Sequence, residues 1–234
     1  MARGTTFGQL IEMVRLEAGM DPNPAMSTNI VPLLEHSIRR EYERLYDDFD
    51  WPFLRVTRDV TLNPGQRYYD FPNDLDLDRI ETVEVWWGSR WFPLERRIDM
   101  AQYNVYDSDA DVRVDPAQRW DVTDTGDESQ MEIWPIPAMT GRIRITGIRR
   151  MTRLVTASDR CDLDDMMIAL YASAMLLARR GAKDAGAKLQ EAKARYDTVK
   201  ERSKQTATNS FSFTGKKDNS VDRPALVAYV RNPT

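Results

Sequence analysis

The chain has 234 residues, with 33 Lys+Arg against 37 Asp+Glu and a net charge of -4. Hydrophobic residues make up 41% and mean hydropathy is -0.58, which fits a folded globular protein and excludes a fibrous or disordered one. The acidic balance argues against a chain built mainly to grip nucleic acid. A single cysteine, Cys161, excludes an intrachain disulfide and a multi-cysteine zinc site.

The first segment predicts a helix. Thr6 and Gln9 have capping-box spacing, Phe7, Leu10, Ile11, Val14 and Ala18 recur at helical intervals, and Gly19 stops the run. After the turn-rich DPNPAMSTN, Thr28 or Asn29 is the expected cap of a second helix, with Pro32 in its first turn. Its apolar stripe is Val31, Leu34, Ile38, Tyr42, Leu45 and Phe49; His36 lies off the stripe, and Pro52 ends the pattern.

From Phe53 to about Arg150 the apolar period changes to two. Strands are expected from Val56 to Leu62, Gln66 to Phe71 and Ile80 to Trp87. Others are expected at RWDV, MEIWPIP and GRIRITGIR, with a hairpin turn at Gly88-Ser89 and a short helix within 99–107. All six Trp residues lie between 51 and 134.

Helical period returns after Asp162, with Asp164 and Asp165 in a first turn, where negative charge suits the helix dipole. The run 166–178 is apolar on nearly every face. As a helix it spans roughly 20 Å, short of the ~30 Å hydrocarbon core of a bilayer. The N-terminal MARGTTFGQL has no signal-peptide character, so the expectation is a chain made in the cytoplasm, without membrane contact. A second helix carries a narrow seam of Ala185, Leu189, Ala192, Tyr196 and Val199. The last thirty residues are polar and carry a net +2, from Lys216, Lys217, Arg223 and Arg231 against Asp218 and Asp222. The expected fold class is therefore α+β. A four-helix bundle, residues 1–52 and 151–204, would hold an inserted antiparallel β lobe, 53–150, and precede an extended flexible tail, 205–234.

Few residues point to chemistry. Asp107, Asp109 and Asp111 occupy positions 1, 3 and 5 of an EF-hand-like loop, but Val112 and Gln118 stand where calcium binding needs Gly and Glu. A solvated acidic loop is the simpler reading. His36 has no Ser or Cys tied to it by any motif, and Gly-x-Ser-x-Gly, P-loop and Gly-x-Gly-x-x-Gly strings are absent. Cys161 has the acidic neighbours Asp159 and Asp162, which raise a thiol pKa. No catalytic residue, metal or cofactor is expected.

Three features suit binding. Trp86, Trp87, Trp91 and Phe92 straddle the hairpin and serve either a core or an interface. The all-round apolar helix needs cover on every side. Ala169, Ala172, Ala174 and Ala178 permit close approach, so they are candidates for a subunit seam. The tail places apolar anchors at Phe211, Phe213, Leu226, Val227, Tyr229 and Val230 among the cations Lys216, Lys217 and Arg223, a composition suited to docking on an acidic partner.

The order of elements, with the strings YDDFDWPFLRV, GQRYYDFP, IETVEVWW, MEIWPIP and LYASAMLLARRGAKDAGAKLQEAKARYD, resembles the head-to-tail adaptors of short-tailed phages, the tail tubular protein A type. The likeness covers about residues 5–204. It implies a structural, non-enzymatic virion protein at the portal vertex, in a ring of usually twelve copies beneath the portal protein. The helical bundle would lie on the portal side, the β lobe would meet the tail nozzle protein, and the C-terminal segment would reach the portal. DNA would pass through the channel without specific binding. Other readings are a different connector or stopper component, or a virion carbohydrate-binding or cell-wall-hydrolase module built on the Trp-rich lobe.

Overall fold

The computed structural model describes residues 3–21, 29–106, 111–124, 126, 128–207 and 229–231. The chain divides into two compact units, one from Met1–Leu54 with Met151–Phe211, the other from Arg55–Arg150 with Ser212–Thr234.

The first unit contains α1 (Phe7–Glu17), α2 (Val31–Asp47), α4 (Asp165–Arg179) and α5 (Ala185–Ala207). The capping box of α1 is formed: Thr6 Oγ1 accepts from Gln9 N at 3.3 Å, and Gln9 Oε1 accepts from Thr6 N at 3.1 Å. Gly19 takes φ +63, the left-handed conformation that ends a helix most cheaply in glycine. Helix α2 starts at Ile30 with no side-chain cap. Pro32 instead supplies a preset φ and lacks the N–H that a first turn leaves unpaired.

A four-helix bundle is not what these helices make. Among the described residues there are five helices, and one of them, α3 (Met100–Tyr103), lies in the other unit. In the helical unit α4 is a central rod that packs against α1, α2 and α5, while α1 touches α2 only lightly. The reason is in the sequence of α4. Residues Met167 to Ala174 and Leu176 are all buried, so it needs cover around its circumference. Bundle helices each bury one stripe; here three striped helices surround one that has none. The stripe of α2 supplies Leu34, Ile38, Tyr42 and Leu45, each no more than 1% exposed. The seam of α5 is Ala192, Tyr196, Val199 and Ser203, with Leu189 exposed.

The second unit is a β sandwich. One sheet has the order β1-β9-β3-β4: β1 (Arg55–Leu62), β3 (Leu75–Trp87), β4 (Arg90–Pro93) and β9 (Gly141–Arg149). The other has the order β2-β8-β7-β5: β2 (Tyr68–Asp70), β5 (Glu95–Arg96), β7 (Arg119–Asp124) and β8 (Ser129–Trp134). A two-stranded ribbon joins β6 (Arg113–Asp115) to β10 (Tyr229–Arg231). All pairings are antiparallel except β5 with β7, a departure from the all-antiparallel lobe expected. Inward residues of both sheets share one core: Leu62, Val83, Val85, Phe92, Ile143 and Ile145 from the first, and Tyr69, Trp120, Met131 and Ile133 from the second.

The alternation in β3 is broken by a bulge between Ile80 and Thr82, opposite Gly147 of β9. There the carbonyl of Arg79 comes so close that a Cβ on Gly147 would sit 2.9 Å from it. Glycine is required at that position by the approach of the neighbouring strand.

Candidate functional site

The N-terminal edge of the helical unit is sewn to the segment that leads into α4. Gly4 N donates to Cys161 O, Cys161 N to Thr5 O, and Phe7 N to Asp159 O, at 2.8–3.0 Å. Tyr42 Oη donates to Asp162 Oδ2 and accepts from Asp162 N, both at 3.0 Å. Asp164 caps α4 by accepting from Met167 N at 3.0 Å and takes a bidentate pair from Arg195 of α5 at 3.0 and 2.8 Å. Cys161 is buried in this seam. Burial pushes its thiol up to about 11, with Asp165 and Asp162 adding to the effect; of the two acidic neighbours foreseen, Asp162 contributes and Asp159 does not, and desolvation dominates. Nothing here resembles a nucleophile.

The exit from α2 is an aromatic knot. Trp51 is fully buried, donates Nε1–H to Leu45 O at 2.9 Å, and lies 5.0 Å edge-on to Phe49 and 6.0 Å edge-on to Tyr196. Tyr196 in turn hydrogen-bonds Asp48 through its hydroxyl. The string YDDFDWPF therefore clamps the end of α2 to α5.

Of the proposed seam alanines, Ala169, Ala172 and Ala174 are buried within the chain by its own helices, and Ala178 is exposed. The close approach that small residues permit is used between α4 and its three neighbours in the same chain.

The Trp hairpin has two faces. Gly88 and Ser89 take φ +52 and +71, the pair of left-handed residues that a two-residue hairpin turn uses. Phe92 and Val85 then point into the core, and Trp87 packs partly against it. Trp86 and Trp91 pair across the strands on the outer face, 5.1 Å apart and edge-on. Two guanidinium groups of β9 cover them: Arg144 lies 4.1 Å from the Trp91 ring, and Arg142 lies 5.5 Å from Trp86 and 5.8 Å from Trp91. Arg144 also holds Asp59 of β1 through two bonds of 2.8 and 3.0 Å, and that hydrogen bonding keeps the Asp59 carboxyl below the usual range. The outer face thus offers aromatic and guanidinium groups already ordered by one another, a composition typical of protein contact sites.

Beside the hairpin a cleft of about 540 Å³ opens at one end of the sandwich. Leu62, Trp86, Trp87, Pro116, Ala117 and Met139 supply apolar wall, with Thr61, Asp115, Thr140 and Arg142 at its margins. Asp115 already accepts from Ala138 N at 3.2 Å. The ribbon strand β6 leads directly into this wall, and its pairing with β10 sets Tyr229 opposite Asp115, Val230 opposite Val114 and Arg231 opposite Arg113. Thus Tyr229 and Val230 of the proposed docking tail lie on the chain's own β6. Phe211, Phe213, Lys216, Lys217, Arg223, Leu226 and Val227 lie outside the described residues.

A polar knot behind the second sheet was not legible in advance. Glu132, almost fully buried, accepts from Arg67 Nε and Tyr103 Oη at 2.8 Å and from Thr123 Oγ1 at 3.1 Å. The Arg67 guanidinium sits about 5 Å from the rings of Tyr103 and Trp134. This knot fastens α3 to β8. Glu132 lies between the inward Met131 and Ile133, so alternation sets it on the outer face of the sheet, and its burial comes from Arg67, Tyr103 and Thr123 rather than from any pattern in its own strand. The acidic loop contributes less: Asp111 pairs with Arg113 at 2.8 Å, and Asp107 and Asp109 lie outside the described residues. Among the described residues no group of three or more His, Cys, Asp and Glu could hold a metal ion, His36 is exposed, and no helix is long and apolar enough to cross a membrane.

A helical unit interrupted by a β sandwich, with ordered Trp–Arg groups on one face and a short edge strand that captures a terminal segment, is built for joining to other proteins. A family model for the SU10 adaptor protein matches residues 5–216, so the chain belongs to that family of phage head-to-tail adaptors. It is accordingly a phage structural adaptor, of a kind that associates with portal and tail components. No curated protein matches the chain closely enough to compare.

Proposed function

We propose that the chain forms a ring between portal and tail nozzle at the portal vertex and lines the channel through which DNA leaves. The observation that carries this is the family match, which runs through both units and into the tail rather than over one lobe. Charge supports it. Twelve copies, the family's usual count, at -4 each carry -48, which repels phosphate and favours sliding over binding. The outward, half-buried aromatic–guanidinium face suits contact with a nozzle protein. In the tail we assign portal contact to the group Phe211, Phe213, Lys216, Lys217 and Arg223. The group at Leu226, Val227, Tyr229 and Val230 reaches the portal only if β10 first leaves β6.

The test is light scattering of the purified chain, alone and mixed with its portal protein, beside a glycan-binding assay on the same sample. The proposal expects a stable complex with many copies per portal and no glycan binding. Glycan binding lost on Trp91→Ala, with no portal complex at any ratio, would favour a carbohydrate-binding module instead.

A further inference from the structure

The two edges of the first sheet are built differently. At one edge β4 has four residues and ends at Pro93, which has no N–H to offer a further strand. At the other edge β1 has eight residues and pairs with β9 in an unbroken register, with no bulge to turn it away. Among the described residues no strand pairs with its other side. The backbone groups on that side follow from the ladder. Leu94 N donates to Val83 O, so Val83 faces β4, and its neighbours Thr82 and Glu84 face β9. Their partners Thr146 and Arg144 face back towards β3 and so turn away from β1. Opposite them, the N–H and C=O of Thr57 and Asp59, and by alternation those of Arg55 and Thr61, lie on the outer side of β1. All four residues are exposed. Charged side chains often guard such an edge, but those of β1 are held by partners in the same unit. Arg55 binds Glu81 at 2.8 and 3.0 Å, Arg58 binds Asp74 at 3.0 Å, and Asp59 binds Arg144 at 2.8 and 3.0 Å. The core also runs out here: Val56 and Val60 pack against it and stay only partly buried.

We propose that the outer edge of β1 takes up an extended segment of the tail nozzle protein as an added strand. The inference rests on the reading of the chain as a joint between portal and tail, which already gives the outer face of this sheet to the nozzle. The edge defines the chemistry of the segment. Its backbone meets the outward N–H and C=O groups of β1, and its side chains at every second position are apolar and complete the cover over Val56 and Val60. It needs no charge, because the charges of β1 are neutralised in pairs. A second copy of the chain fits poorly. The edge strands β4, β2 and β5 have four, three and two residues against the eight of β1. Two copies of β1 could pair antiparallel about a two-fold axis, with facing side chains on one face of the sheet. The two longest registers of that kind set Arg58 opposite Arg58 or Asp59 opposite Asp59, like charges placed directly against each other. The edge is thus closed to itself and open to a foreign strand.

Amide hydrogen exchange of the full-length chain tests this, alone and mixed separately with nozzle protein and with portal protein. Light scattering on the same samples follows complex formation. In the free chain the amides of Thr57, Asp59 and Thr61 should exchange fast, and those of Arg58 and Val60, which face β9, slowly. In the nozzle complex the first three should slow by about a hundredfold or more. A nozzle complex without that protection would overturn the added strand and leave the adaptor reading intact, whereas no complex with either protein would overturn both. Protection by portal protein alone would overturn the assignment to the nozzle. Protection in the chain alone that grows with its concentration would give the edge to a second copy and overturn the proposal. As a second readout, Thr57→Pro with Thr61→Pro removes two outward donors. This variant should melt close to wild type while binding nozzle protein at least about tenfold more weakly. Arg58→Pro, which removes a donor to β9, is the control and should lower Tm. Unchanged nozzle affinity in the folded double variant would also overturn the proposal.

Discussion

Removal of the Asp164 carboxylate tests the logic of the helical unit most sharply. Its side chain is 1% exposed, caps α4, and holds Arg195 of α5 in a bidentate pair. Loss of the cap alone costs about 1 kcal/mol. Breaking a fully buried ion pair costs about 3–5 kcal/mol, but the Arg195 side chain is 31% exposed and rehydrates, which reduces the pair to about 1–2 kcal/mol. Asp164→Ala should therefore destabilise by about 2–3 kcal/mol and lower Tm by roughly 4–12 °C. Asp164→Asn keeps a good cap and loses only the charge, so it should cost about half as much. A thermal melt followed by helical circular dichroism reads both, and a double-mutant cycle with Arg195→Met isolates the pair. Additivity of Asp164→Ala and Arg195→Met within about 0.3 kcal/mol would refute the coupling. An Asp164→Ala melt matching wild type would refute the account of the whole junction.

Gly147→Ala should cost about 1–3 kcal/mol in urea unfolding, because the new methyl meets the Arg79 carbonyl at the bulge, whereas Gly186→Ala, with open space around it, should cost nothing. Ala172→Arg should unfold the helical unit rather than act on assembly alone, since Ala172 is 0% exposed; a soluble variant with native circular dichroism would contradict the packing of α4. Cys161 should resist thiol reagents at neutral pH and react in denaturant; fast labelling of the folded chain would contradict its buried, raised thiol. The Asp159 carboxyl, depressed by hydrogen bonds from Thr156 and Val155, contributes stability above roughly pH 4 and loses it as pH falls through the folded value. Nuclear magnetic resonance of the Val155 and Thr156 amides should show a titration midpoint below that of a free aspartate, and a midpoint at or above it would contradict those bonds.

How far the sequence reveals this fold depends on the range of the forces involved. Local signals were readable. The Thr6–Gln9 box, the stop at Gly19 and the Gly88-Ser89 turn all depend on neighbours within a few residues, and all appear as expected. The strands β1 and β9 were legible from their period of two, although the alternation in β9 is imperfect, with Gly147 and Ile148 both buried. What the sequence did not show rests on distant partners. The all-round apolar character of α4 announced a need for cover, but the identity of the cover lies in α1, α2 and α5, so four helices were taken for a bundle when one is surrounded by three. The two-residue β5 carries too short a pattern to read, and its parallel pairing with β7 is a tertiary fact. The ribbon of β6 with β10 joins residues more than a hundred positions apart, and the tail was read as docking on a partner, not on the chain's own β6. In the candidate surface, the outward Trp pair was visible as a possibility, whereas its guanidinium cover from β9 depends on cross-strand register.

The central claim is that this chain joins portal to tail as a ring. Averaged electron-microscope images of the portal protein incubated with the chain test it directly. The account predicts a second ring, coaxial with the portal and on one of its faces only, with a continuous open channel. A portal ring unchanged at saturating chain, or chain bound at irregular positions without a closed ring, would contradict it.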